Sequence, residues 1–167
     1  VLPQIDHESS ANAIALAGVV AWPLTGRDEE LKLIAATFGD ESEHGGIAIV
    51  GRPGVAKTRL AREAAATAIS RGWVVRFVSG TAAAQAIPLG AFAEWIDQAD
   101  GQPLNLVGAV ISSLVNTPNG EPVVVVVDDA HLLDDLSAFL LHQLVRRRAA
   151  AVIATVRTGH KVPETVS

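Results

Sequence analysis

A change of pattern at residues 47–58 constrains the fold of this chain more than any other feature. Ile47-Ala48-Ile49-Val50 is short, unbroken and apolar, and it runs into Gly51-Arg52-Pro53-Gly54-Val55-Ala56-Lys57-Thr58. Leu60, Ala61, Ala64, Ala65, Ala68 and Ile69 then recur with the helical period, and Gly72 closes that helix after Arg71. An apolar run of this kind suits a strand buried on both faces of a parallel sheet. The text therefore reads strand, tight turn, helix. The turn follows the pattern G-x-x-x-x-G-K-[ST] except at Ala56, where the pattern has Gly. Glycines there let the backbone N–H groups face inward as an anion nest, and the helix points its positive end at the same place. Lys57 adds a point charge for β and γ phosphates, and the Thr58 hydroxyl suits Mg²⁺. The Ala56 methyl narrows the approach of a phosphate but leaves the N–H donor.

A second signal lies about 70 residues downstream. Residues 123–127 are valines, followed by Asp128 and Asp129. A β-branched run ending in two acids reads as a central strand with carboxylates at its C-terminal tip. Nucleotide hydrolysis of this type needs an acid there to hold Mg²⁺, a role for Asp128, and a group to orient water, a role for Asp129. Aspartate is one methylene shorter than the glutamate that reaches such a water well, so the expectation is slow hydrolysis, or reach recovered by a different backbone position.

The rest of the text supplies alternating elements. Residues 73–78 and 151–156 read as strands. Leu89, Phe92, Ala93 and Ile96 suggest one helix, and Leu104, Val107, Val110, Ile111 and Leu114 another. Pro118-Asn119-Gly120 marks a turn. Residues 134–148 read as a helix with Leu136, Phe139, Leu140 and Leu144 inward, acids at its start and arginines at its end. Upstream, Thr25 and Asp28 have capping-box spacing before an amphipathic helix carrying Leu31, Ile34, Ala35 and Phe38. Residues 11–20 fit a short helix or a strand equally. Strands alternating with helices imply an α/β fold with a parallel sheet and right-handed crossovers.

Composition excludes several alternatives. The 167 residues are 49% hydrophobic but only 4% aromatic, so the core must be aliphatic. The net charge of −5 argues against direct binding to duplex DNA. The absence of cysteine removes disulfide scaffolds, thiolate-bound metals and thiol nucleophiles. The apolar run at residues 14–22 is too short to span a bilayer, for which about 20 residues are needed. With no methionine anywhere and Val1 first, the chain reads as part of a longer protein.

The two phosphate motifs, with Arg59-Leu60-Ala61 after the first and Ala130-His131-Leu132-Leu133-Asp134 after the second, resemble the STAND class of P-loop ATPases. The likeness is to the ATPase module of large LuxR-type transcriptional regulators. Leu24-Thr25-Gly26-Arg27-Asp28 resembles the motif that flanks the adenine in that family, with Asp28 where Glu is usual. Residues 87–92 and Thr155-Val156-Arg157 resemble further stretches of it, and the last implies that Arg157 senses the γ-phosphate. The resemblance covers residues 24–159. It implies a three-layer P-loop NTPase core of the ASCE/AAA-like type, with strand order 5-1-4-3-2. Only four strands are legible after residue 46. Numbered from residues 47–50 onward they should lie in order 1-4-3-2, with the strand before the phosphate loop left near an edge. Residues 1–23 then form an N-terminal segment, and residues 24–167 an ATPase core truncated before a fifth strand and lid.

The expectations are concrete. ATP or ADP with Mg²⁺ is held by Gly51, Arg52, Pro53, Gly54, Val55, Ala56, Lys57, Thr58 and Arg59, with Leu24, Thr25 and Arg27 on the adenine side. Thr58 and Asp128 hold the metal, Lys57 and Arg157 act on the phosphates, and Asp129 orients water. The implied function is a slowly hydrolysing switch in a cytoplasmic regulator. Its partners are the nucleotide, other domains of the longer chain, and possible further copies in an ATP-dependent oligomer. It meets DNA only through a downstream helix-turn-helix, and no membrane. An AAA-like motor or helper ATPase and a non-hydrolysing nucleotide module are the alternatives. Arg146-Arg147-Arg148 reads as cations at a helix C-terminus rather than a nucleic-acid patch, and His131 as a turn histidine.

Overall fold

In the computed structural model, which describes residues 19–21, 46–51, 56–96 and 106–157, the valine run forms the middle of the sheet. Strand β4 (Val123–Asp128) pairs in parallel with β3 (Val74–Ser79) on one side and β5 (Ala151–Arg157) on the other. Strand β5 in turn pairs with β2 (Gly46–Gly51), and β2 with the short β1 (Val19–Ala21). The sheet is all parallel, in the order β1-β2-β5-β4-β3. Alternation along β4 explains the unbroken valines. Val124 and Val126 face helix α1 (Ala56–Ser70), while Val123, Val125 and Val127 face the opposite layer. Complete burial of each such side chain contributes about 1.5–3 kcal/mol.

Alanines give α1 its inner stripe: Ala61, Ala64, Ala65 and Ala68 are buried with Leu60 against Ile47, Ile49 and Ile153. Small side chains suit a helix lying close on a sheet. Gly72, at φ +84°, then turns the chain into β3. The other layer holds α2 (Ala82–Gln85), a 3-10 turn at Gly90–Phe92, α3 (Ala93–Ile96), α4 (Leu106–Val115) and α5 (Asp135–Arg146). Arg76 ties β3 to α4: its guanidinium donates to the carbonyls of Leu114 and Asn116 and lies 5.0 Å from the centroid of the buried Trp95 ring.

The four core strands take the expected order 1-4-3-2. The strand before the phosphate loop lies near an edge, as expected, with one further strand outside it. That strand is β1, which pairs with β2 along Val19↔Ala48, Val20↔Ile49 and Ala21↔Val50. The backbone of Val19–Ala21 covers an edge of β2 that would otherwise present unpaired N–H and C=O groups. Residues 11–20, ambiguous by pattern, thus end in a strand.

Residues 89–96 do not form one helix. Leu89 adopts a left-handed conformation (φ 58°) and its N–H donates to Asp134 Oδ2 at 3.0 Å, so the segment breaks there and restarts at Gly90. The same Asp134 caps α5 by accepting from Ser137 N–H and the Ser137 hydroxyl. Ile69 is 57% exposed rather than inward, since the buried stripe of α1 closes on Ala68. Phe139 is half-buried, and Ala138 and Leu141 take the inner positions with Leu140 and Leu144. The helix expected around residues 31–38 lies outside the described residues.

Candidate functional site

Parallel strands bring their C-terminal ends to one margin of the sheet, and register fixes which residues meet there. Gly51 of β2 pairs with Arg157 of β5, and Ser79 of β3 with Asp128 of β4. Helix α1 starts at the same margin, directly after residues 52–55, and carries no acid in its first turn. Its first N–H groups lack intrahelical partners and hold partial positive charge. An anion there meets no competing carboxylate from the helix itself.

Two threonines and two aspartates form the centre. The Thr58 hydroxyl donates to the Asp128 carboxylate, 3.0 Å from Oδ1 and 3.2 Å from Oδ2. Thr155, only 1% exposed, donates to Asp128 Oδ1 at 2.6 Å and accepts from the Asp129 backbone N–H at 3.0 Å. Thr58 and Asp128, 70 positions apart, are thus brought together from α1 and β4. Asp129 follows in a left-handed conformation (φ 51°, ψ 52°), and its Oδ1 lies 3.5 Å from Arg157 Nε in a half-exposed ion pair. Gly80 closes the site from β3. Its N–H donates to the Asp128 carbonyl at 2.8 Å, and a Cβ there would stand 2.3 Å from the Asp129 carbonyl oxygen.

Lys57 is buried beside this cluster. Burial pushes its pKa below the usual lysine value of 10.5, and Arg157 pushes the same way, while Asp129 and Asp128 pull it back. The two carboxylates thus favour the charged form against burial, and a phosphate would act in the same direction. For this residue the folded state loses its proton before the unfolded state does. Any affinity for a triphosphate should consequently fall as pH rises through the lowered pKa, below 10.5. Binding measured from neutral to alkaline pH should show this decline in the wild type and not in Lys57→Arg; identical profiles would refute it.

Among the expected site residues, the structure gathers Gly51, Lys57, Thr58, Asp128, Asp129 and Arg157 at one margin. It does not bring Arg59 to them: that side chain is 63% exposed and pairs with Glu63 one turn along α1. Ala56 contributes the first position of the helix. Arg52, Pro53, Gly54 and Val55 lie outside the described residues, as do Leu24, Thr25 and Arg27. Sequence reasoning gave no role to Gly80 or to the Thr155 hydroxyl. A glycine just past a strand end was the only signal for the first.

Residues 23–104 match the family model described as AAA ATPase domain. That match supports a P-loop ATPase module, and the α/β parallel sheet in its observed order is consistent with a P-loop NTPase core. The matched span includes β2, α1 and β3 and ends before β4, so Asp128, Asp129 and Arg157 fall outside it. The Thr58–Asp128 hydrogen bond, with the Gly80 N–H on the Asp128 carbonyl and the pairing of Gly51 with Arg157, joins the matched half of the site to the unmatched half. No curated protein and no solved structure matches the chain. A hydroxyl and a carboxylate this close fit a magnesium ion, which takes one or two protein oxygens and completes its shell with phosphate and water. Among the described residues no helix is long and apolar enough to cross a membrane.

Proposed function

We propose that this chain is an ATP-binding switch that hydrolyses its nucleotide slowly, in the manner of the ATPase modules of LuxR-type STAND regulators. The observation that carries the reading is the Thr58 hydroxyl on the Asp128 carboxylate, beside a buried Lys57 at the start of α1. In this reading residues 51–58 cradle the phosphates through backbone N–H groups, and Lys57 neutralises charge between the β and γ positions. Thr58 and Asp128 would hold Mg²⁺, which when bound neutralises charge on the phosphate oxygens. Asp129 orients water. Its short side chain and its engagement with Arg157 favour slow turnover.

Arg157 is the candidate reader of the terminal phosphate. A tenfold preference for ATP over ADP is about 1.4 kcal/mol, and one charge-assisted hydrogen bond contributes about 1.5–3 kcal/mol. Arg157 stands in the same chain as Asp129, 3.5 Å from it, and an arginine supplied in cis supports the switch over a ring-forming motor, which would draw one from a neighbour. The proposal extends to the setting: a cytoplasmic regulator whose DNA contacts come from a helix-turn-helix elsewhere in the protein.

Titrations of ATP and ADP with and without Mg²⁺, together with single-turnover hydrolysis, test the reading. The wild type should prefer ATP by about tenfold and hydrolyse it at a rate independent of protein concentration, and Arg157→Ala should erase the preference. Turnover rising steeply with protein concentration would favour the AAA-like motor instead. Binding without any hydrolysis would leave a nucleotide-binding module, and no binding would overturn the proposal.

A further inference from the structure

We propose that Thr155 is a positioning residue that sets which oxygen of Asp128 is offered to the metal; this rests on the magnesium–nucleotide reading above. A threonine hydroxyl has one proton to donate and lone pairs to accept with. Thr155 gives its proton to Asp128 Oδ1 at 2.6 Å and receives the N–H of Asp129 at 3.0 Å. One side chain on β5 therefore holds both acids that end β4. The shorter of the two Thr58 contacts falls on Oδ1 as well, at 3.0 Å against 3.2 Å for Oδ2. Oδ1 thus takes the Thr155 hydroxyl and the shorter Thr58 contact, while Oδ2 keeps only the longer Thr58 contact and is the less engaged oxygen, the one better placed to face a cation or its water.

The arrangement has the character of an outer-shell support for a metal ligand. Such groups fix a ligand's orientation without touching the ion, and their loss typically lowers metal affinity about 10- to 100-fold. Burial makes the bond effective, because at 1% exposure no water replaces the hydroxyl once it is removed. The backbone contact has a second consequence. Asp129 sits at φ 51°, where a residue with a side chain is disfavoured, and the hydrogen bond from its N–H to Thr155 helps to retain it there. Val156, the next residue, is also fully buried, so β5 cannot slide to offer another group.

Thr155→Val keeps the branched shape and the strand preference while removing the hydroxyl; Thr155→Ser keeps the hydroxyl and loses a methyl group. In the full-length protein, binding of a fluorescent ATP analogue should be measured at graded Mg²⁺ and again with EDTA, with circular dichroism as the check of folding. Thr155→Val should raise the Mg²⁺ concentration for half-maximal enhancement of binding by about tenfold, leave metal-free binding within about twofold, and be reversed in Thr155→Ser. Equal Mg²⁺ dependence in wild type and Thr155→Val overturns the role of Thr155 alone. A wild type whose binding is indifferent to Mg²⁺ overturns the metal reading and this proposal with it. Should Thr155→Val fail to fold, Thr155→Ala against Thr155→Ser gives the same comparison, and equal Mg²⁺ dependence in that pair overturns the proposal.

Discussion

Lys57→Ala should weaken ATP binding by about tenfold or more, equivalent to about 1.4 kcal/mol, and leave the unliganded protein folded. The ammonium sits buried between two carboxylates and one guanidinium, so its removal takes away positive charge where a triphosphate would bring negative charge. Folding should tolerate the change because neither carboxylate loses its last partner: Asp129 keeps Arg157, and Asp128 keeps the Thr58 and Thr155 hydroxyls. A ligand that binds only the folded state stabilises it by RT ln(1 + L/Kd), where L is the free ligand concentration, so at one ligand concentration the rise in melting temperature reports affinity. The check is therefore a pair of thermal shifts with saturating ATP and Mg²⁺. Equal shifts in wild type and variant would remove Lys57 from the site.

Gly80→Ala should be the most disruptive single-methyl change at the site. A Cβ at that position meets the Asp129 carbonyl oxygen at 2.3 Å, well inside any real contact, and the obstruction is backbone that cannot swing away. Overpacking of this kind costs about 1–3 kcal/mol, and in a domain of this size each kcal/mol lowers the melting temperature by roughly 2–4 °C. The backbone that must yield carries Asp129, so Mg²⁺-dependent nucleotide binding should fall as well. Gly120→Ala is the matched control. Its φ of +72° makes alanine strained, but nothing lies within 4 Å of the added methyl, so it should cost about 1 kcal/mol and leave nucleotide binding alone. A Gly80→Ala protein that melts with the wild type would contradict the close packing of β3 on the end of β4.

Most of this architecture is legible in the sequence because its signals are local. The valine run, the alanine stripe of α1 and the glycine-flanked turn each identify an element within a dozen residues. Two of those elements end in groups whose chemistry is known from residue type alone. What was not legible depends on partners distant in sequence. Leu89 has the spacing of a helix, and only the Asp134 carboxylate, 45 positions away, turns it left-handed. Arg59 follows Thr58 in the motif, yet helical geometry rotates it about 100° away, toward Glu63. The Thr155 hydroxyl looks like ordinary strand composition until β5 is laid between β2 and β4. The pairing of residues 19–21 with β2 had no local signature, since three residues are too few to show a period.

The position of β5 has a consequence for how the molecule comes into being. It is the last described strand to be synthesised, yet it lies between the strand that leads into the phosphate loop and the strand that carries the acids. A nascent chain that has emerged only as far as residue 150 holds β1–β2 and β3–β4 as two half-sheets with no strand between them, although α1 packs on both. Nucleotide cannot assist that early stage, because Gly51 and Asp128 acquire their spacing only when residues 151–157 slot between them. Assembly of the five described strands into one sheet thus waits on the seven residues of β5. Until it arrives, the growing polypeptide is at its most exposed to aggregation and to capture by chaperones.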